Sequence, residues 1–258
     1  MPPALPRAGV HNARLVQCLA ALGLVSPAAA ASADPLGLQL GGWLDWTQAG
    51  EVAQALETRW DDVPPPTPLL LQRARWSLAA VPQVRRELGE ALAGIVKGRP
   101  TPGAGLPRPG PGTTLDDMAD YSPYRQHAFA QQRTLQARLD ELRAQLRGHL
   151  ARMGPSGAQM AALDAAWQTA LAPREHQLLS MLPPLLGDRY EALRQEHLAA
   201  LQADPGRPDG PTHWLAPGAW LARFAADLNE VMQAELALRL EPLEGLAAAL
   251  RHEIETRR

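Results

Sequence analysis

Two glutamate–histidine pairs, Glu175-His176 and Glu196-His197, are the first residues whose types suggest metal or acid–base chemistry. They stand twenty-one residues apart with Pro183-Pro184 between them. Adjacent residues on a helix point about 100° apart, so neither pair chelates well by itself. The chain holds no His-Glu-x-x-His pair, no Gly-x-Ser-x-Gly elbow and no Glu-x-x-His pairing of the di-iron bundle type. Gly103 and Gly105 lie in a proline-rich stretch that offers neither strand nor helix for a phosphate loop. Asp116, Asp117 and Asp120 lack calcium-loop spacing and suit a helix N-terminus, where the dipole favours negative charge. Cys18 is the only cysteine, which excludes an internal disulfide and a Cys-rich zinc site. No catalytic, metal or cofactor residue is therefore predicted, and the expected protein is not an enzyme.

Candidates for binding are of another kind. Trp43 and Trp46 are three apart and share a helix face, so they could form a partner hot spot or a core anchor. Arg133, Arg138, Arg143 and Arg147, flanked by Arg125 and Arg152, give one helix a basic bias against only Asp140 and Glu141, and Arg73 to Arg99 likewise holds six basic residues against Glu87 and Glu90. Such a stripe could dock a partner, track phosphates, or pair with acidic segments of the same chain. No aromatic or base-reading groups are interleaved with these arginines, and the formal net charge is only −2, so nucleic-acid binding is disfavoured.

The elements that must carry these residues are helical. The apolar residues are mainly Ala and Leu, with two Phe and three Tyr, and no segment alternates with period two. The class is all-α: an antiparallel bundle of long, partly proline-broken helices with coiled-coil-like seams, plus an N-terminal helical subdomain. Its central element is a helix over 123–153, whose Leu135, Leu139, Leu142, Leu146, Leu150 and Met153 recur in steps of three and four. Before it, Asp34 and Pro35 open a segment running through Val52 and Leu56. Pro64, Pro65, Pro66 and Pro68 then form a rigid connector to a helix over 69–96, with Trp76, Leu78, Val81, Leu88, Leu92 and Ile95 inward and a kink or split at Pro82.

After the central helix, a stretch from Ser156 carries Met160, Leu163, Trp167, Leu171, Leu178, Leu182, Leu186, Tyr190 and Leu193. Pro173 and Pro183-Pro184 should break it into two or three pieces. A last helix over 217–255 carries twelve apolar positions from Trp220 to Ile254, with a bend at Pro242 and Gly245. Residues 98–112 hold ten Gly or Pro in fifteen positions and little to bury. The expected domains are thus an N-terminal helical region over 1–97, a disordered Gly/Pro-rich linker over 98–115 and a C-terminal long-helix bundle over 116–258.

The N-terminus has two readings. Basic residues precede the apolar run Leu15 to Val25, and Ala31-Ser32-Ala33 follows, in the outline of a signal peptide. Leu15, Leu19 and Leu22 also recur on one face, as in a short amphipathic helix of the domain. A membrane span is not expected, because this run is weakly apolar and broken by Pro27.

Several segments together resemble the Domain of Unknown Function 3348 family of uncharacterised proteobacterial proteins. They are Leu15-Val16-Gln17-Cys18-Leu19, Gly42-Trp43-Leu44-Asp45-Trp46-Thr47, Tyr121-x-Pro-Tyr-Arg125, Arg174-Glu175 before Leu178-Leu179, and Ala234-Glu235-Leu236 through Leu246. The resemblance carries no catalytic residue. It implies a cytoplasmic helical accessory, because genes of that family tend to lie beside those for a membrane protein with a long helical portion and an OmpA-like peptidoglycan-binding protein, an arrangement similar to MotA/MotB-type complexes. The leading expectation is a non-enzymatic interaction protein that binds such helical partners or itself. The alternatives are a nucleic-acid or anionic-surface binder through the Arg-rich helices, and an exported periplasmic helical protein.

Overall fold

The computed structural model describes residues 9–25, 46–97 and 105–256, with side chains for 14–25, 47–94 and 105–256. Helices α1 (Gly9–Ala21), α2 (Trp46–Glu57), α3 (Pro68–Lys97), α4 (Ser122–Leu150), α5 (Pro155–Leu179), α6 (Leu182–Ala203), α7 (Pro211–Trp214) and α8 (Trp220–Glu255) follow in order. A 3-10 turn at Asp117–Ala119 precedes α4, and no strand occurs among the described residues. The all-α class is thus correct.

Two compact units divide the chain differently from the sequential domains expected above. The first takes Met1–Ser32, Leu88–Thr134 and Leu179–Leu236; the second takes Ala33–Glu87, Leu135–Leu178 and Ala237–Arg258. Helices α3, α4 and α8 therefore each contribute one part to each unit. A division read along the chain cannot find such units, since a helix has no compositional mark where its neighbours change. Residues 98–104 of the expected linker lie outside the described residues. Over 105–115 the chain is non-helical yet buries Leu106 and Leu115.

The first unit is built on aromatic packing. Tyr121 and Tyr124 from α4 and the turn before it, Tyr190 from α6, and Trp220 and Phe224 from α8 pack with ring centroids between 5.0 and 6.5 Å apart. Most of these pairs are tilted or edge-to-face, the arrangement that ring quadrupoles favour. The Tyr190 hydroxyl donates to Met118 O at 2.8 Å, so its buried polar end is satisfied. Leu15, Cys18 and Leu19 of α1 are buried in this unit. Burial, with Glu230 and Asp227 nearby, pushes the Cys18 thiol up to about 11 and leaves it unreactive at neutral pH.

In the second unit the α4 seam is buried as its spacing predicts, from Leu135 through Leu150 to Met153 in the following turn. So are Leu240, Leu243, Leu246, Leu250 and Ile254 of α8, while its apolar positions Trp220, Leu221, Phe224, Leu228, Val231, Met232 and Leu236 are buried in the first unit. Other positions depart from expectation. Trp76 is 63% exposed on α3, and Ala74, Ser77, Val81 and Val84 form the buried stripe in its place. Met160 and Leu178 of α5 are also exposed. The buried apolar positions of α5 are instead Ala158, Ala161, Ala170 and Leu179, so the spacing of its larger residues does not mark the covered face.

Prolines act less uniformly than expected. The break falls between Leu179 and Leu182, with Pro183 and Pro184 in the first turn of α6, where a missing N–H costs nothing. Helix α5 runs unbroken through Pro173 and α3 through Pro82. Both prolines are exposed, so water can serve the carbonyls they leave without donors. Helix α8 likewise continues through Pro242.

Candidate functional site

Among the described residues no cluster of three His, Cys, Asp or Glu side chains could hold a metal, and no helix is long and apolar enough to cross a membrane. The two Glu-His pairs serve the fold separately. Glu196 accepts from Arg223 at 2.8 Å, and His197 Nε2 lies 3.0 Å from Asp209. Asp209 also accepts from Trp214 Nε1. Burial works against the Asp209 carboxylate, but the hydrogen bonds from His197, Trp214 and the Gly210 backbone outweigh it and hold it below the usual range. This arrangement staples the loop between α6 and α7. Glu175 lies 3.7 Å from Arg239 and His176 is exposed.

Two of the acidic trio bond at helix starts, while Asp116 makes no side-chain capping bond. Asp117 accepts from the Thr114 backbone at 2.8 Å and from its hydroxyl at 2.7 Å, and Asp120 accepts from Ser122 N at 2.9 Å. These bonds hold both carboxylates below their ordinary range.

The arginines separate into two classes. Arg143 Nη2 reaches Asp164 Oδ1 at 2.6 Å and Arg147 Nε reaches Asp164 Oδ2 at 2.8 Å, with Arg147 also donating to Gln168. All three charged side chains are largely buried, so their charge is used within the second unit. Arg133 and Arg138 point outward, Arg138 in an exposed pair with Glu141. Trp43 lies outside the described residues, and Trp46 opens α2 without a described side chain. Of the four arginines singled out for partner binding, two are thus used internally and two face outward.

A site does form elsewhere in the second unit. Val63, Pro64, Pro65, Pro66 and Thr67 of the connector, Leu69, Leu70 and Arg73 of α3, His149 of α4 and Arg152 just beyond it line an open cavity of about 330 Å³. The prolines preset the wall with fixed φ and no N–H donors. Thr67 ends it by capping α3, its hydroxyl accepting from Leu70 N at 3.3 Å. The lining thus combines apolar side chains with Arg73, Arg152 and His149. Neither Arg73 nor Arg152 makes an ion pair with a described residue. Burial, then the charges of Arg152 and Arg73, hold His149 below its ordinary value, so it is neutral at pH 7.

Four and seven residues into the same face of α3 from Leu69 come Arg73 and Trp76. Leu69 is 55% exposed and Trp76 63%, so this face of α3 carries two exposed apolar side chains with Arg73 between them. Sequence reasoning missed this site because it placed Trp76 inward. The available signal was the spacing of Leu69, Arg73 and Trp76 beside a run of prolines.

No curated protein and no solved structure matches this chain. A family model described as Protein of unknown function (DUF3348) matches residues 1–252, and the chain belongs to that family.

Proposed function

We propose that the chain is a non-enzymatic helical interaction protein that engages a protein partner through the α3 face bearing Leu69, Arg73 and Trp76. The observation that carries this reading is the exposure of Trp76, whose side chain is 63% accessible on an otherwise ordinary amphipathic helix. Covering that surface would contribute roughly 3 kcal/mol, typical of an interface hot spot. As partners we propose the long-helix membrane protein and the OmpA-like protein whose genes accompany this family, with the chain acting from the cytoplasm. The gene neighbourhood supports the identity of the partners, and the burial of Leu15, Cys18 and Leu19 supports keeping the N-terminal helix in the mature domain.

Binding of nucleic acid or an anionic surface through the arginine stripe has less support, since Arg143 and Arg147 already neutralise Asp164. The test is co-expression of the full chain with both neighbouring gene products, followed by affinity purification. Recovery of either product, reduced at least about tenfold by Trp76→Ala, is the expected result. A monodisperse monomer that retains neither product, or recovery indifferent to Trp76→Ala and Leu69→Ala, would overturn it.

A further inference from the structure

We infer that the cavity between the 63–67 proline connector, Arg73 and Arg152 is a receptor for a carboxylate carried on an apolar body, supplied by an acidic side chain of the protein partner with an apolar neighbour. The inference deepens the docking function and rests on it for the source of the carboxylate, though not for the chemistry of the cavity.

Three observations carry it. First, Arg73 and Arg152 come from separate elements and line one cavity, yet neither has an acidic partner among the described residues. Some arginines of the same unit find carboxylates, Arg143 and Arg147 sharing Asp164 and Arg85 pairing with Glu244, while the exposed Arg75 and Arg86 of α3, like Arg73, make no ion pair with a described residue. Two like charges gathered without a counter-ion repel each other, and an incoming anion removes that cost. Guanidinium forks also match a planar carboxylate through paired N–H donors.

Second, the rest of the wall includes Pro64, Pro65, Pro66, Leu69 and Leu70. Prolines donate no hydrogen bonds, so this wall offers contact area to an apolar group and nothing to a second charge. A bare inorganic anion would leave it unused. Third, the volume of about 330 Å³ is at the small end for ligand sites, which suits one or two side chains better than a nucleotide. Leu69 and Trp76, exposed on the same face of α3 with Arg73 between them, offer apolar contacts to the rest of a partner segment.

His149 provides a reporter. Arg73, from α3, and Arg152, just past the end of α4, disfavour its protonation, and a carboxylate seated between them would offset both charges. Occupancy should raise the imidazole's pKa, which a purely structural role for the two arginines would not do.

The first experiment follows the His149 ring protons of the full chain by NMR, assigned with His149→Gln. Three probes are titrated: N-acetyl-phenylalanine, its uncharged amide and inorganic phosphate. Saturable binding of the carboxylate probe is expected, about tenfold or more tighter than either comparison and abolished in Arg73→Gln/Arg152→Gln. Equal binding of the amide would make the cavity a plain apolar groove, and equal binding of phosphate a bare anion site; either overturns the proposal. Both arginines are exposed, so the double variant should fold, and its circular dichroism melt checks this.

A second arm tests the source of the carboxylate. In the co-purified assembly, Arg73→Glu/Arg152→Glu should release the partner at least tenfold. Retention of the partner despite this reversal overturns the assignment to a partner side chain while leaving the docking function standing. Failure of co-purification with the wild-type chain instead overturns the docking function, and the probe titration still decides the chemistry of the cavity.

Discussion

The side-chain amide of Gln132 on α4 donates to the Leu179 carbonyl at 2.8 Å, in place of the backbone N–H that Pro183 lacks. A helix continuing past Leu179 would satisfy that carbonyl from residue 183. Proline removes the donor, and a side chain from elsewhere in the first unit replaces it. The same amide reaches the fully buried Glu235 carboxylate at 3.0 Å, so both of its N–H groups are used. Replacing Gln132 with Leu should cost about 2–3 kcal/mol, because the carbonyl loses its donor and a buried carboxylate loses one of its hydrogen bonds. Equilibrium urea unfolding measures this, and a cost under about 0.5 kcal/mol would mean that water replaces the amide.

Tyr121 depends on a glycine. Its hydroxyl donates to Pro183 O at 2.8 Å, and a Cβ on Gly187 would lie 3.0 Å from two of its ring carbons. Gly187→Ala gains about 1 kcal/mol of helix propensity but forces the ring away, at a cost of about 1–3 kcal/mol. A net loss of stability with an altered near-ultraviolet circular dichroism signal is expected. Gly245→Ala, also within a helix but with no atom within 4 Å of the new methyl, should instead stabilise by about 0.5–1 kcal/mol. Thermal melts of the two variants should move in opposite directions.

Acid should loosen the first unit through His127. Its side chain is buried, its Nε2 has no partner, and burial holds its pKa below 6.5. The unfolded chain therefore takes up this proton first as pH falls. The contribution is fully present above pH 6.5 and is lost as pH falls from there through the folded-state value. His149 acts in the same direction. Urea midpoints measured from pH 8 to pH 5 should fall below pH 6.5, less steeply in His127→Gln. An unchanged slope in that variant would remove His127 as the cause.

Asp164 should separate the structural arginines from the exposed ones. Asp164→Asn leaves Arg143 and Arg147 facing each other around a neutral amide and should cost about 1–3 kcal/mol, allowing for their partial exposure. Arg133→Ala and Arg138→Ala should each stay within about 0.5 kcal/mol, since their side chains are solvated. If Arg138→Ala were as costly as Asp164→Asn, the division drawn among these arginines would fail.

By itself the sequence determined the helices and their strongest faces. The Leu135–Met153 seam and the apolar positions of α8 are buried as spacing predicts, because large residues repeated every three or four positions leave a helix only one face to cover. Tertiary structure decided what periodicity cannot encode. Trp76 and Val81 both lie at helical spacing on α3, yet only Val81 meets a neighbour. Pro183 falls where the chain breaks while Pro173 does not, because the outcome depends on where each proline lies and on what serves the freed carbonyl. Arg143 and Arg138 belong to one basic stripe, but only Arg143 has Asp164 brought to it. The site at Arg73, His149 and Arg152 was hidden for the same reason: its charges lie some eighty residues apart, and only folding brings them to one cavity.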